Sequence, residues 1–382
     1  MNIAGIIGGI IFMAAFYGGA NFYIGRRIFQ WLKFLFPQLN GMMYTITFLF
    51  FVLSLILGYL PLPSPLKGIM SWIGSHWMGI FVYLLMFFLV VDILVLLGGL
   101  VRIIPTPMPQ TIRFCASLIA IVLTVGFVSY GIYNARQVRT VTYSVHTKET
   151  TLPVNMNIVL ISDLHLGAIN SEQRLKSVVQ NINSIKPDIV CIVGDVFNDD
   201  YNAIRNPDGV IKLMKSIEST YGVYGCLGNH DGGNTFDQML GLLEQSNVKL
   251  LNDEHVVIDE QLILVGRVDP SPIGGFGDLK RNDTTEVLAS IGDTDMPVVV
   301  MDHSPSGIKQ YDETVDLVLS GHTHRGQISP GSLFTRAIFT VDYGHYQKDA
   351  NSPHVIVTSG AGTWAMPMRV GTKNEVVSIA LR

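Results

Sequence analysis

The sequence predicts four N-terminal membrane helices followed by an α/β domain in which two packed β-sheets are flanked by helices. The first observation is the distribution of charge: only 15% of the 382 residues are charged, and few of these precede residue 134. The second is the alternation of strand-like and helical segments beyond that residue, which is typical of α/β folds. The third is that strands outnumber helices in the later part, which favours two sheets over one doubly wound sheet.

Four apolar stretches are long enough to cross a bilayer, which takes about 20 residues. They cover residues 3–24, 42–60, 77–101 and 111–133. The first lacks the basic segment of a signal peptide, and three more stretches follow, so we expect it to be retained as a helix. Groups of three prolines beginning at Pro61 and Pro105 mark turns between helices.

Two features of this region allow alternative interpretations. Residues 26–34 mix cations with aromatic side chains, which fits either an interfacial helix or a positively charged loop flanked by interface aromatics. Asp92 lies inside the third stretch, where an ionisable group is costly. A single acid is weak evidence for a transport pathway, so we expect Asp92 to pair with a neighbouring helix or to lie near an interface.

The cations near the helix ends bear on orientation, because Lys and Arg accumulate on the cytoplasmic side. Five follow the first and third stretches and four lie on the other side, namely Arg26, Arg27, Lys33, Arg102 and Arg113 against Lys67, Arg136, Arg139 and Lys148. The difference of one favours a multi-pass protein with both termini outside the cytoplasm. We therefore expect the C-terminal domain to lie on the extracytoplasmic side.

We expect a transmembrane domain over residues 1–135, a connector over 136–152 that includes a strand near 140–145, and a soluble domain over 153–382. Strand-like runs occur at residues 157–161, 188–193, 221–227, 297–301 and 317–319, with shorter runs at 248–251, 256–258 and 262–265. Helical spacing of apolar residues occurs at residues 172–185, 210–219 and 236–245.

Five of these strand-like runs are followed directly by side chains that bind metals. These are Asp163, His165, Asp195, Asn229, His230, His303, His322 and His324. Functional groups in open α/β sheets collect at the carboxyl ends of strands, so the five ends are expected to converge. Any one of these residues alone is more often a turn former or a satisfied polar group. The full set in this order indicates a metal centre.

The residue types define the chemistry of this centre. Carboxylate and imidazole ligands without a thiolate suit divalent Mn, Fe, Zn, Ni or Co, of which we favour Mn. Two such ions about 3.5–4 Å apart can clamp the attacking and leaving oxygens of an in-line displacement at phosphorus. Asp195 is the natural bridge between them. His230 is expected to protonate the leaving group, and the adjacent Asp231 to orient or charge His230.

The motifs resemble the five-block signature of calcineurin-like metallophosphoesterases. The matching blocks are Asp163-Leu164-His165, Gly194-Asp195, Gly228-Asn229-His230-Asp231, His303 and Gly321-His322-Thr323-His324. The resemblance covers about residues 157–382 and implies a two-sheet sandwich flanked by helices. It implies that one metal is held by Asp163, His165 and His324. It implies a second metal on Asn229, His303 and His322, a bridging Asp195, and a catalytic His230 that binds no metal.

A finer resemblance rests on Met301-Asp302-His303-Ser304-Pro305, Gly344-His345-Tyr346, Ser359-Gly360-Ala361-Gly362 and Met366-Pro367-Met368-Arg369. These motifs resemble a bacterial branch with an N-terminal membrane or export segment, which implies a protein of a bacterial plasma membrane with an extracytoplasmic catalytic domain. That branch often has glycine where Arg325 stands. Arg325 is therefore either a contact for substrate phosphate or a solvent-facing residue. Some relatives cleave the pyrophosphate of a nucleotide-linked acylated sugar, so the substrate class includes lipid-like molecules.

The net charge and the cysteine count bear on which other functions the sequence supports. The net charge of −4 is small and gives no support for nucleic-acid binding, and three cysteines without a CxxC motif indicate neither a disulfide framework nor a zinc ribbon. The expected partners are a lipid bilayer and a phosphorylated, amphiphilic substrate. The alternatives are a metal-binding sensor or scaffold without turnover, and a transporter carrying a regulatory hydrolase domain.

Overall fold

The computed structural model describes residues 3–60, 62–105, 107–147, 155–169 and 171–382. The chain divides into two compact units, residues 1–130 and 131–382, which are described separately. The first unit is helical. Its helices, the last of which ends in the second unit, are α1 (Ile3–Leu35), α2 (Gly41–Leu57), α3 (Ser64–Leu100) and α4 (Gln110–Asn134).

Three of these four helices are long and apolar enough to cross a membrane, over Ile7–Leu35, Pro65–Leu100 and Gln110–Asn134. The predicted count of four spans is therefore slightly too high, although the predicted class of fold is confirmed. The exception, α2, has 17 residues and is about 25 Å long, which is less than the roughly 30 Å of a bilayer core.

The polar residues within this unit pair with one another. Arg27 Nη2 lies 2.9 Å from Asp92 Oδ1, and the Tyr23 hydroxyl donates a 2.6 Å hydrogen bond to Asp92 Oδ2. Asp92 therefore pairs with a neighbouring helix, which was the interpretation favoured from the sequence. Residues 26–34 continue α1 without a break, so they form helix rather than loop. Because Arg27 and Asp92 both lie toward C-terminal helix ends, α1 and α3 run in the same direction.

The second unit contains two six-stranded mixed sheets. The first has the order β1-β12-β2-β3-β4-β5 and the second β10-β11-β9-β8-β7-β6. The strands are β1 (Val138–Val145), β2 (Met156–Ile161), β3 (Ile189–Val193), β4 (Val223–Cys226), β5 (Val248–Leu250), β6 (Glu254–Ile258), β7 (Leu262–Gly266), β8 (Val298–Met301), β9 (Leu317–Ser320), β10 (Gly344–Tyr346), β11 (His354–Val357) and β12 (Asn374–Leu381). The helices are α5 (Ser171–Ile185), α6 (Pro207–Lys215), α7 (Phe236–Gln245), α8 (Thr284–Ala289) and α9 (Gly331–Ile338).

Residues 138–145 of the predicted connector form β1, which pairs in parallel with β12 along its whole length. β12 in turn runs antiparallel to β2. Strands β2, β3 and β4 are parallel, and so are β7, β8 and β9. The parallel strands of each sheet therefore end at a common edge, which is where the candidate site residues follow.

The core lies between the two sheets. Leu160 and Cys191 from the first sheet pack with Val299 and Leu319 from the second. The opposite face of the first sheet is covered by apolar side chains of α5, α6 and α7. All five residues of β3 are buried, as expected for a parallel strand covered on both faces. The predicted two-sheet sandwich with flanking helices is confirmed.

Candidate metal centre

Five strand ends bring the predicted ligands together at one edge of the sandwich. The residues that follow β2, β3 and β4 come from one sheet, and those that follow β8 and β9 come from the other. Two groups of side chains lie there, and within each group the ligand atoms are all within 4.8 Å of one another. The described residues thus contain two places where a metal ion could be held.

The first group consists of Asp163, His165 and His324, all buried. The Nε2 atoms of His165 and His324 lie 3.0 Å apart, and His324 Nε2 lies 3.3 Å from Asp163 Oδ1. Three donor atoms from the ends of two different sheets therefore converge on one point.

The second group consists of Asp195, His303 and His322. His303 Nε2 lies 3.1 Å from Asp195 Oδ2. Asn229 faces the same group, since its Oδ1 lies 2.8 Å from His322 Nδ1. This arrangement adds an amide oxygen to two imidazoles and a carboxylate.

Asp195 lies between the two groups. Its Oδ2 atom is 3.1 Å from His303 Nε2 in the second group and 3.7 Å from His165 Nε2 in the first. One carboxylate oxygen is thus within reach of both, which is the placement that a bridging ligand needs.

The protonation of His303 tests whether a cation fits. Its Nδ1 donates to the carbonyl of Val193 at 2.8 Å. Burial would lower the pKa of His303, but the carboxylate of Asp195, 3.1 Å from Nε2, and the charge of Asp163 hold that pKa well above its ordinary value. The carboxylates therefore favour a positive charge at Nε2, and a metal ion held by the same atoms would take the place of that proton. The donor set, made of carboxylate, imidazole and amide, fits divalent first-row ions.

Burial keeps other imidazoles of the centre neutral. It lowers the pKa of His165 to about 3 and the pKa of His322 to about 4. A neutral imidazole offers a lone pair at neutral pH, as metal ligation requires.

The backbone at the centre is strained. Five of the seven predicted ligands have positive φ angles, namely Asp163, His165, Asp195, His322 and His324. Non-glycine residues rarely adopt this conformation, and it concentrates at functional sites. Gly194 also has a φ of 72°, and a Cβ there would lie 2.6 Å from Cγ of the His303 ring. Only glycine allows Asp195 and His303 to approach so closely.

His230 lies beside the two groups. Its Nδ1 is 2.7 Å from Asp199 Oδ1, and its ring centroid is 5.1 Å from that of His165. Burial alone would lower the pKa of His230, but the hydrogen bond to Asp199 and the charges of Asp195 and Asp199 outweigh it. The pKa of His230 is therefore raised above its ordinary range.

The expectation that Asp231 orients His230 is corrected by this geometry. Asp231 is fully buried, and its carboxylate accepts hydrogen bonds from the amides of Gly228 (2.8 Å) and Phe197 (2.9 Å). His230 and Asp231 lie in a turn that the hydrogen bond from the Asp231 amide to the Gly228 carbonyl closes at 3.1 Å, so the neighbour in sequence is not the neighbour in space. Asp231 holds the loops together, and Asp199 contacts His230.

Arg325 follows the ligand His324 directly and is half-buried. Its Cζ lies 4.2 Å from the centroid of the Tyr343 ring, and the Tyr343 hydroxyl donates to Glu375 at 3.0 Å. The guanidinium is therefore stacked on an aromatic ring. Its contact with substrate phosphate stays a prediction.

Three further residues shape the centre that sequence reasoning did not assign. Asp199 pairs with His230, and Trp364 places its ring centroid 5.7 Å from that of His230. The buried Arg369 donates to the carbonyls of Ser359 (2.6 Å) and His324 (3.3 Å). Arg369 lies in a tail motif already noted in the sequence, but no pattern there indicates what its side chain contacts.

Comparisons with known proteins agree with this geometry. Residues 156–326 match the family model described as calcineurin-like phosphoesterase. An uncharacterised metallophosphoesterase of Aquifex aeolicus is 31% identical over 241 residues, which cover 63% of this chain and 90% of the relative. This chain belongs to the calcineurin-like phosphoesterases.

Other metallophosphoesterases match part of the membrane unit as well. An uncharacterised one of Campylobacter jejuni is 30% identical over 71% of each chain. A transmembrane protein with a metallophosphoesterase domain from Danio rerio is 27% identical over 82% of this chain and 74% of the relative. The attachment of such a domain to membrane helices therefore occurs among relatives.

Proposed function

We propose that this chain is a membrane-anchored, two-metal phosphoesterase that hydrolyses a phosphate ester or pyrophosphate bond of an amphiphilic substrate. The observation that carries the proposal is the placement of Asp195 Oδ2 within 3.7 Å of histidine ligands from both groups. This placement supports a bridged pair of ions, for which we propose manganese, since carboxylate, imidazole and amide donors suit it.

Different residues of the protein have different roles in the hydrolysis. When bound, the two ions would polarise the phosphoryl group and activate water as the nucleophile. His230, held by Asp199 at 2.7 Å, donates a proton to the leaving oxygen. Its raised pKa keeps a protonated fraction near neutral pH. Arg325 offers charge-assisted hydrogen bonds to the substrate phosphate, with its plane fixed by Tyr343.

The last turn of α4 supports a substrate at the bilayer surface. Asn134 donates to the carbonyls of Arg369 (3.0 Å) and Thr372 (2.8 Å), and the Arg369 amide donates to Gly131 (2.9 Å). The Arg369 side chain then bonds to the carbonyl of the ligand His324. The end of a candidate membrane span is therefore connected to the metal centre through a single residue.

Helix α9 adds an apolar surface in the same region. It exposes Leu333, Phe334 and Ile338 at 66%, 68% and 72%, a larger apolar exposure than a solvated helix needs. The preceding residues 328 and 329 pair with Val370, which follows Arg369. These side chains suit the acyl portion of a substrate or the bilayer that contains it.

The test uses full-length protein in liposomes with two substrates, a soluble aryl phosphate and a phosphomonoester of a diacylglycerol. Replacing Leu333, Phe334 and Ile338 together by serine should leave aryl phosphate hydrolysis within about twofold. It should reduce hydrolysis of the lipid by roughly tenfold or more, because the apolar contact is lost. The matched control is Val257→Ser, an exposed apolar residue on the edge strand β6.

Three outcomes would contradict the proposal in different ways. Equal loss on both substrates would mean that α9 supports the fold and not the lipid. Undiminished lipid hydrolysis in the triple variant would remove α9 from substrate access. Absence of any metal-dependent hydrolysis by the unmodified protein would instead favour a binding role without turnover.

We further propose that the protein is a multi-pass protein of a bacterial plasma membrane and that its catalytic domain is extracytoplasmic. The C-terminal ends of α1 and α3 and the N-terminal end of α4 line one common cavity. Five of the nine cations counted near helix ends lie at that end of the unit. The positive-inside rule assigns such an end to the cytoplasm.

A further inference from the structure

A cavity of about 750 Å³ lies at one end of the membrane unit, between α1, α3 and α4. Three of the residues lining it are arginines, Arg26, Arg27 and Arg113, and Asp92 is the one acidic residue among its described lining. The described walls thus carry a formal excess of two positive charges. Such an excess attracts an anion to this end of the unit.

Some hydrogen-bonding groups of these arginines have no partner among the described residues. Arg27 is paired with Asp92 at 2.9 Å, yet its Nε is buried without a hydrogen-bond partner in the described parts of the chain. Arg26 and Arg113 are exposed, and neither forms a side-chain ion pair with any described residue. Several guanidinium N–H groups are therefore free to bind an oxyanion.

The rest of the lining indicates what kind of anion this is. Leu96, Leu100 and Met108 contribute apolar wall beside the arginines. A ligand that matches both surfaces carries a phosphate next to hydrocarbon. Guanidinium groups pair with phosphate oxygens in a bidentate manner, and the volume lies within the range of small-molecule sites. Basic pockets between membrane helices on the cytoplasmic side suit anionic lipid headgroups.

We propose that this cavity binds the phosphodiester headgroup of an anionic membrane phospholipid. The site lies wholly within the first unit and shares no residue with the metal centre. It is therefore independent of the proposed hydrolysis, and the lipid is a bound ligand there rather than the substrate.

The experiment measures lipid binding to the purified full-length protein by native mass spectrometry. The probes are phosphatidylglycerol and phosphatidylcholine, which share the phosphodiester and differ in net charge. The unmodified protein should retain phosphatidylglycerol at least about tenfold better than phosphatidylcholine. The double variant Arg26→Gln/Arg113→Gln should lose roughly tenfold to thirtyfold of this binding, as expected for two juxtamembrane cations.

The matched control is Arg102→Gln, which removes an exposed cation from the connection between α3 and α4 without touching the described lining. It should retain phosphatidylglycerol. Equal loss in this variant would mean that overall charge, and not the cavity, attracts the lipid. Equal retention of both lipids by the unmodified protein would by itself overturn the proposal.

Competition with inorganic phosphate distinguishes a lipid headgroup from a soluble anion as the ligand of the cavity. If the site recognises a lipid, millimolar phosphate should leave bound phosphatidylglycerol in place, because it cannot replace the apolar contacts. Displacement of the lipid by phosphate alone would assign the cavity to a soluble anion. Hydrolysis of an aryl phosphate, whose centre lies in the other unit, should be the same in every variant.

Discussion

At the scale of single residues, the metal centre holds most of its candidate ligands in backbone conformations that non-glycine residues rarely adopt. Asp163, Asp195 and three of the four histidines that act as candidate ligands sit in the left-handed region of backbone space. Each costs on the order of 1–3 kcal/mol, which the surrounding packing must offset. Bound ions would repay part of this cost, so the centre should be stabilised when metal is supplied.

The bridging position gives the first prediction. Asp195→Asn keeps the size of the side chain but removes the charge that two cations would share. We expect metal content, measured by elemental analysis, to fall below two ions per chain, and hydrolysis to fall by about 100-fold or more. Asp208→Asn, in the first turn of α6, should change neither. Full activity of Asp195→Asn in the presence of a strong chelator would refute the two-metal centre.

The second prediction separates proton transfer from metal binding. His230→Ala should retain both ions, because its ring contacts Asp199 rather than belonging to either ligand group. Its rate should fall by roughly 10²–10⁴-fold, the usual contribution of a general acid. The loss should be smaller for an aryl phosphate, whose leaving group needs little protonation. Loss of metal from this variant would show that His230 is a ligand.

The third prediction concerns pH and Asp199. General-acid catalysis needs protonated His230, so activity falls as pH rises through the pKa of that residue. The hydrogen bond and charge of Asp199 raise this pKa. Asp199→Asn should therefore move the descending limb of the rate profile to lower pH, measured on an alkyl phosphate ester. An unchanged limb would mean that another group controls it.

The residue types at strand ends were enough to predict that the seven candidate ligands and His230 lie close together, because parallel strands of a sheet end at the same edge. The sequence could not predict Asp199 or Arg369, since both act through loops whose path depends on tertiary contacts. Asp231 shows the same limit. Its position next to His230 in the chain says nothing about the direction of its carboxylate, which binds the amides of Gly228 and Phe197.

At the scale of secondary structure, fully buried strands were the most predictable elements. β2 and β3 lie within one residue of their predicted bounds, since continuous apolar runs allow few alternatives. The sequence did not reveal α9, whose described residues are all at least partly exposed, or the three-residue β10. Both elements are too short for the periodicity of their apolar residues to be recognised in the sequence.

The fourth prediction concerns the turn after β3. Gly194→Ala introduces a Cβ both at positive φ and against the His303 ring. Gly275→Ala is the matched control, because its φ of 84° carries the same strain and a Cβ there meets nothing within 4 Å. Thermal unfolding should show a loss of about 1 kcal/mol for Gly275→Ala and clearly more for Gly194→Ala. Equal losses would mean that the His303 contact contributes nothing.

At the scale of the whole molecule, hydropathy was enough to separate the two units but overestimated the span of α2. The apolar stretch predicted over residues 42–60 includes residues 58–60, which follow Leu57, the last residue of α2. Composition cannot distinguish a helix from an apolar turn. The contact between Arg27 and Asp92 is consistent with the common direction of α1 and α3 that four alternating spans imply.

The fifth prediction tests orientation. In a Cys115→Ser background, which removes the exposed native cysteine, Ala350→Cys and Gln110→Cys place single exposed thiols in the domain and at the N-terminal end of α4. A membrane-impermeant maleimide should label Ala350→Cys in intact bacterial cells and Gln110→Cys only after lysis. The reverse pattern would place the domain in the cytoplasm.

The pairing of β1 with β12 has a consequence for biosynthesis. The two strands are more than 200 residues apart in the chain, yet they are neighbours along their whole length. At about 5–20 residues per second, β1 would leave the ribosome roughly ten to fifty seconds before its partner. During that interval β1 has an unpaired edge next to a newly inserted helix, and such edges invite aggregation. The nascent protein should therefore depend most on chaperones in this interval.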